Sequence, residues 1–316
     1  MSRVLVFREL PVDQLARLQA VHEVTAADPR KPDQRAAYDA ALAEAEGLIG
    51  SSFKIDIAQA PRLKVVSSIS VGVDNYDLAA LKARGITLCH TPGVLTETTA
   101  DTIFALIMAA SRRLVELAQH VREGRWDKNI GENLFGWDVH GKTLGILGFG
   151  RIGQALARRA ALGFGMPVRY CSRRAVEVPG LEGKAQHGSL DEVLANSDII
   201  ALTLPLSEDT RGLIGAREFA LMRQGAIFVN GARGAIVQED ALVAALDSGH
   251  LRAAGLDVFA TEPLPLDSPL RSHPKVTALP HIGSATHETR HRMAVLATDN
   301  LLAALAGRTP PAVYSL

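Results

Sequence analysis

The chain has little of what marks secreted, membrane-embedded or nucleic-acid-binding proteins. It has only two cysteines in 316 residues, Cys89 and Cys171, which are too few for a disulfide framework and predict buried thiols in a cytoplasmic protein. Its 34 basic side chains are balanced by 34 acidic ones, so no basic surface predicts contact with nucleic acid or an anionic membrane. No apolar run reaches the roughly 18 uncharged residues that a membrane-spanning helix needs. The first residues enter a predicted strand directly, so we expect no signal peptide.

Short apolar strands alternate with amphipathic helices in two successive sets. The composition is 47% hydrophobic, and the length leaves room for two domains with sizeable cores. Alternation of this kind predicts α/β domains, each with a parallel sheet covered by helices on both faces. We expect residues 1–98 and 285–316 to form one domain and residues 99–284 the other. A long helix, capped by Thr98 and running to about Glu123, is predicted at the crossing between the two domains.

A glycine-rich turn at residues 148–153 begins the second set. The apolar strand Leu144–Leu147 precedes Gly148, Gly150 and Gly153, and an amphipathic helix follows them. The spacing G-x-G-x-x-G between a strand and a helix is typical of dinucleotide binding, because the helix N-terminus and the bare glycine backbone accommodate a pyrophosphate. We therefore predict a Rossmann cofactor domain here, and a flavodoxin-like doubly wound domain built from both chain ends.

The tip of the next strand indicates which nicotinamide cofactor is preferred. NAD-selective domains usually carry Asp or Glu about 20 residues after the glycine-rich turn. This chain has Ser172, Arg173 and Arg174 there instead. Since guanidinium groups bind a 2′-phosphate through bidentate charged hydrogen bonds, the sequence predicts NADP(H), with NAD(H) as a possible second cofactor.

Three later stretches end predicted strands with ionisable side chains. They are residues 228–234, 254–264 and 279–284, which contain Arg233, Glu262 and His281. Together with residues 70–74, 95–101 and 148–153, they resemble the D-isomer-specific 2-hydroxyacid dehydrogenase family over nearly the whole chain. Within that family, residues 281–287 are similar to glyoxylate/hydroxypyruvate reductases, and residues 137–140 to bacterial 2-ketogluconate (2-ketoaldonate) reductases.

The resemblance implies an enzyme that reduces a small 2-oxo acid to the D-2-hydroxy acid by hydride transfer. In that chemistry Arg233 holds the carboxylate and polarises the carbonyl, while His281 acts as the general acid and Glu262 stabilises its imidazolium. The resemblance also implies that backbone N–H groups at Val71 and Gly72 bind the substrate carboxylate. The remaining residues implied to border the cofactor are Arg151, Ile152, Leu204, Pro205, Gly231, Asp257, His281 and Gly283.

The resemblance leaves the substrate and one other function class open. Glyoxylate, hydroxypyruvate and 2-ketogluconate are all candidates, and a homodimer is implied. Corepressors that sense the cofactor resemble the same family, so the alternative is a binding protein on this fold. A formate or phosphoglycerate dehydrogenase is a nearer alternative within the family.

His287 and His291 form a literal H-E-x-x-H pattern on a predicted helix. This spacing is used by zinc metalloproteases. The α/β context and the lack of a persuasive third ligand argue against zinc, so we predict no metal site.

Overall fold

The structure, a computed structural model, describes residues 1–316 and divides into two compact units. The first unit joins Met1–Leu95 to Ser284–Leu316, and the second is Thr96–Gly283. The sequence-based boundaries placed these breaks after residues 98 and 284.

The first unit contains a parallel sheet of five strands in the order β2-β1-β3-β4-β5. The strands are β1 (Arg3–Val6), β2 (Glu23–Ala26), β3 (Gly47–Gly50), β4 (Val65–Ser68) and β5 (Thr87–Cys89). Every residue of β3 and β4 is buried, as expected of strands covered on both faces. This strand order is that of flavodoxin-like domains. Its first helices are α1 (Val12–Gln19), α2 (Arg35–Glu44) and α3 (Leu78–Ala83).

The second unit contains a parallel sheet of seven strands in the order β12-β11-β10-β9-β6-β7-β8. The strands are β6 (Leu144–Leu147), β7 (Val168–Cys171), β8 (Ala185–His187), β9 (Ile199–Leu202), β10 (Ala226–Asn230), β11 (Leu251–Leu256) and β12 (Val276–Ala278). The order reverses between β6 and β9, where open α/β sheets bind ligands. Edge strand β8 was not predicted, because its three largely solvent-facing residues carry no apolar alternation. The predicted α/β fold class is confirmed.

The predicted single helix from Thr98 to about Glu123 is wrong. The second unit's helices are α4 (Thr96–Arg112), α5 (Leu114–Arg122), α6 (Arg151–Arg158), α7 (Leu190–Ala195), α8 (Ala216–Leu221), α9 (Glu239–Asp247) and α10 (Pro269–Ser272). Thr98 lies inside α4 and does not cap it. Arg113 separates α4 from α5 with a left-handed φ of 55°. Helical periodicity gives no warning of such a break at a residue other than glycine.

The last helix, α11 (His287–Leu305), belongs to the first unit. The Thr286 side chain caps it by accepting from the Thr289 N–H, and Ser67 of β4 donates to the Ala297 carbonyl at 2.7 Å. Cys89 is buried and Cys171 is partly buried, and both are free thiols. None of the helices combines the length and the apolar character required to traverse a lipid bilayer.

Candidate active site

The turn after β6 needs glycine at two of its positions. Gly148 has a φ of 98°, and a Cβ there would lie 2.8 Å from the Leu204 amide nitrogen. A Cβ on Gly153 would lie only 2.3 Å from the Gly148 carbonyl oxygen. The backbone of this turn, the start of α6 and the segment after β9 therefore approach more closely than any side chain allows.

The start of α6 fits the pyrophosphate of a dinucleotide. A Cβ on Gly150 would meet no atom within 4 Å, so the backbone is approachable from solvent there. No side chain caps the helix, and the N–H groups of Arg151 and Ile152 have no hydrogen-bond partner. Unpaired N–H groups and the positive end of the helix dipole both favour an anionic group at this position.

The tip of β7 presents two unpaired cations. Ser172 Oγ donates to the Arg174 carbonyl at 2.6 Å, which folds the tip into a tight turn. Arg173 and Arg174 are exposed, and no acidic side chain pairs with either guanidinium. Leu204 and Pro205 follow β9, the strand on the other side of β6.

Arg233 follows β10, and both its backbone carbonyl and its guanidinium make hydrogen bonds. Asn230 Nδ2 donates to the Arg233 carbonyl at 3.0 Å, and Arg233 Nη1 donates to the Ala232 carbonyl at 2.8 Å. A Cβ on Gly234 would lie 1.8 Å from the carbonyl carbon of Phe259, so Gly234 allows the loop after β10 to touch the segment after β11. Gly231 is equally constrained, because a Cβ there would lie 2.4 Å from Ile103 Cγ1.

Glu262 and His281 form a hydrogen-bonded pair. His281 Nδ1 donates to Glu262 Oε2 at 2.7 Å, and the Phe259 N–H donates to Glu262 Oε1 at 3.0 Å. Burial would raise the pKa of Glu262, but these hydrogen bonds and the charges of His281 and Arg233 outweigh it and lower the pKa. Glu262 is therefore ionised at neutral pH. The His281 side chain is 46% exposed, so its free ring nitrogen is accessible to a ligand.

Asp257 anchors the backbone that carries His281. Its buried carboxylate accepts from the N–H groups of Ile282 at 2.7 Å and Gly283 at 2.8 Å. Burial raises its pKa, although both hydrogen bonds oppose the shift. His281 has a left-handed φ of 54°, so its position depends on this anchor. The predicted place of Asp257 beside the cofactor stays a prediction.

In the first unit, Val71 and Gly72 follow β4 and offer free donors. Both residues are partly buried, and neither backbone N–H donates a hydrogen bond. The Val71 carbonyl instead lies 3.2 Å from His90 Nδ1. Because partly buried N–H groups are normally paired, two free ones are suited to binding a carboxylate.

Sequence reasoning missed the residues that support these side chains. Asn230 and Gly234 flank Arg233, and Glu239 accepts from the Ala260 N–H at 2.7 Å. Gly234 carried a usable signal, since a glycine directly after a strand-end arginine suggests close backbone approach. Glu239 carried none, because its partner lies 21 residues away.

The H-E-x-x-H pattern lies in the first two turns of α11. His291 Nε2 lies 3.6 Å from Asp13 Oδ2, which is an ion-pair distance. No three His, Cys, Asp or Glu side chains in the chain are grouped as a metal ion would require.

Comparison with known proteins identifies the family. Residues 104–283 match the family model described as D-isomer specific 2-hydroxyacid dehydrogenase, NAD binding domain. The chain belongs to this family. The predicted family and the predicted class of NAD(P)-dependent dehydrogenase are thereby confirmed.

Several known proteins resemble this chain over nearly its full length. Glyoxylate/hydroxypyruvate reductase B of Klebsiella pneumoniae is 52% identical over 307 residues, covering 96% of this chain and 95% of the relative. A crystal structure of a Thermus thermophilus protein has a TM-score of 0.90 at 45% identity and covers 99% of this chain and 100% of its own. The crystal structure of an NADPH-dependent glyoxylate/hydroxypyruvate reductase from Sinorhizobium meliloti, in complex with NADP and malonate, has a TM-score of 0.89 at 31% identity. The match covers 99% of this chain and 97% of that chain.

Replacing Gly234 with alanine tests the contact between the two loops. We expect Gly234→Ala to lower the free energy of unfolding by about 1–3 kcal/mol, because the new Cβ overlaps the Phe259 backbone. Chemical denaturation measures the change. Gly163→Ala is the matched control, because a Cβ at this position would have no atom within 4 Å and the backbone φ there is not positive. Equal stability of the two variants would contradict the close approach.

Proposed function

We propose that the dehydrogenase catalyses NADPH-dependent reduction of a small 2-oxo acid to the D-2-hydroxy acid. The observation that carries the proposal is the hydrogen bond between Glu262 and His281, with the Arg233 charge close enough to lower the pKa of Glu262. A carboxylate, an imidazole and a guanidinium thus lie at adjacent strand ends of the cofactor domain. Reduction of a ketone beside a carboxylate needs a proton donor and a fixed cation, and this set provides both.

Each group has a proposed role in the reaction. Bound NADPH supplies the hydride that the carbonyl carbon receives. Protonated His281 donates from Nε2 to the carbonyl oxygen as the alkoxide forms, while Glu262 on Nδ1 fixes the tautomer and stabilises the imidazolium. Arg233 binds the substrate carboxylate and polarises the carbonyl. The free N–H groups of Val71 and Gly72 bind that carboxylate as well.

Glyoxylate and hydroxypyruvate are the proposed substrates, because the relatives named above are reductases of these two acids. 2-Ketogluconate is a third candidate, which rests on residues 137–140 alone. Rates of NADPH oxidation with each acid rank the three. Absence of turnover with all of them would contradict the proposal.

The low cysteine content, two residues in the whole chain, supports a proposed cytoplasmic location.

The proposed acid role of His281 is tested by His281→Asn. Asparagine tolerates the left-handed backbone of this position, so the variant removes the imidazole without adding strain. We expect kcat to fall by about 10²- to 10⁴-fold, the usual contribution of a general acid. His22→Asn, between α1 and β2, is the control and should keep the wild-type rate. Near-normal turnover by His281→Asn would refute the role.

Glu262→Gln tests the pairing through the pH profile of reduction. The carboxylate is ionised at neutral pH because its pKa is lowered. Without its charge the imidazolium is less stable, so we expect the alkaline limb of kcat/KM to move to lower pH. A profile that keeps the wild-type midpoint while kcat falls would show that Glu262 acts only through packing.

Preference for NADPH is proposed to rest on Arg173 and Arg174, with NAD(H) as the weaker cofactor. Replacing both with glutamine should raise KM for NADPH by about 10- to 100-fold, because two charged hydrogen bonds to the 2′-phosphate are lost. KM for NADH should change little. Arg158→Gln, an exposed arginine of α6, is the control. Equal effects on the two cofactors would contradict the assignment.

A homodimer is proposed to form through an exposed apolar segment of the cofactor domain. Helix α5 has no buried residue, and the segment that includes it exposes Leu114, Val115, Val121, Trp126, Ile130 and Phe135. So many exposed apolar side chains in one segment are typical of a protein interface, and a second copy of this chain is the proposed occupant.

Disruption of this segment should produce monomers. We expect sedimentation velocity to show a dimer for wild type and a monomer for the double variant Val121→Glu and Trp126→Glu. Leu266→Glu places the same charge at another exposed apolar residue and should stay dimeric. A wild-type monomer, or a dimer of the double variant, would contradict the proposal.

A further inference from the structure

Arg8, Arg30 and Arg290 lie together at one edge of the first unit's sheet. Arg8 follows β1 and Arg30 follows β2; these strands are parallel neighbours, with Val6 paired to Ala26 where both strands end. The carboxyl ends of parallel strands share an edge, so both arginines occupy the carboxyl edge. This is the edge at which open α/β sheets bind ligands.

The direction of α11 brings Arg290 to the same edge. Near its end, Leu301 packs against Gly47, the first residue of β3, so this part of α11 lies at the amino end of the sheet. Its first turns are next to the start of α1, where His291 lies 3.6 Å from Asp13 Oδ2. Because α1 begins just after β1, the beginning of α11 lies at the carboxyl edge.

The only carboxylate that offsets the positive charge around Arg8 is already paired. Asp28 accepts from Arg30 Nε at 2.8 Å and from Arg30 Nη2 at 2.6 Å. Arg8 is partly buried and makes no hydrogen bond or ion pair of its own. Burial lowers the pKa of Arg8, the charges of Arg30 and Arg290 lower it further, and only Asp28 opposes them.

Arg8 therefore lies beside two other cations and one carboxylate, and its own guanidinium is desolvated without a partner. Such an arrangement costs free energy in the unliganded protein, because like charges repel and a partly buried donor is left unpaired. An oxyanion with several acceptor oxygens removes both costs, since a guanidinium fork matches carboxylate and phosphate oxygens. The N–H groups of Val71 and Gly72, which follow β4, belong to the same carboxyl edge.

We propose that Arg8, Arg30 and Arg290 form a binding subsite for an oxyanion, a carboxylate or phosphate distinct from the carboxylate assigned to Arg233. Such a group comes from one of two sources: part of a substrate, which rests on the proposed function, or a free anion that binds without being a substrate.

Two nearly isosteric acids separate tail charge from tail size. Oxaloacetate has a second carboxylate, and 2-oxosuccinamate has a neutral amide in its place. If the source is a substrate, wild type should have a higher kcat/KM with oxaloacetate, and the ratio of the two values should fall by about tenfold or more in Arg8→Gln. Arg8→Lys should restore part of the ratio, because it keeps the charge without the fork. Arg17→Gln, an exposed arginine of α1 paired with Asp299, should leave the ratio unchanged.

Binding of inorganic phosphate tests the subsite without turnover. Isothermal titration at constant ionic strength should show a Kd about tenfold higher for Arg8→Gln than for wild type or Arg17→Gln. Phosphate held by other arginines, such as Arg173 and Arg174, contributes equally to all three proteins.

The two measurements separate the possible failures. Lack of turnover with every 2-oxo acid defeats the proposed function, and an Arg8-dependent phosphate Kd would still support the subsite. An Arg8-dependent phosphate Kd with an unchanged substrate ratio supports the subsite and assigns it to a free anion. An unchanged ratio together with an unchanged phosphate Kd overturns the proposal entirely.

Discussion

The hydrogen bond between Glu262 and His281 is the interaction on which the arrangement of the active site depends. It joins the segment after β11 to the segment after β12, and neither side chain is placed by a helix or a strand. Each partner is therefore held in place by further hydrogen bonds. The Phe259 N–H holds the second oxygen of Glu262, and the buried carboxylate of Asp257 holds the backbone beyond His281. Since the His281 backbone is left-handed, loss of this anchor would release the imidazole from its alignment.

The proposed anion-binding sites lie in a few places on a chain whose formal net charge is zero. Backbone donors account for two of them: the uncapped start of α6 and the N–H groups of Val71 and Gly72. Guanidinium groups account for the others, at the tip of β7, after β10 and in the cluster around Arg8. At these proposed sites an anionic cofactor and an anionic substrate would meet local donors, and no field from the whole protein would be needed to attract them.

Much of this could be predicted from the sequence, because the signals are local. The glycine-rich turn and the two parallel sheets follow from spacing and periodicity, whereas Arg233, Glu262 and His281 were singled out through the family resemblance. What could not be predicted depends on a single backbone angle or on distant partners. Arg113 ends α4 through one left-handed residue, β8 is too short and polar to show a period, and Glu239 supports the Glu262 loop from another helix.

The proposed roles of Arg233, Glu262 and His281 require the substrate to lie between these side chains and the cofactor. If Arg233 and the Glu262–His281 pair act on one carbonyl, an unreactive acid of the same shape must occupy that position beside the cofactor. A crystal structure of the complete chain with NADP⁺ and oxalate is the most direct test. The account predicts one oxalate oxygen within hydrogen-bond distance of His281 Nε2 and a carboxylate on the Arg233 guanidinium. Oxalate bound away from both side chains, with the cofactor in place, would contradict it.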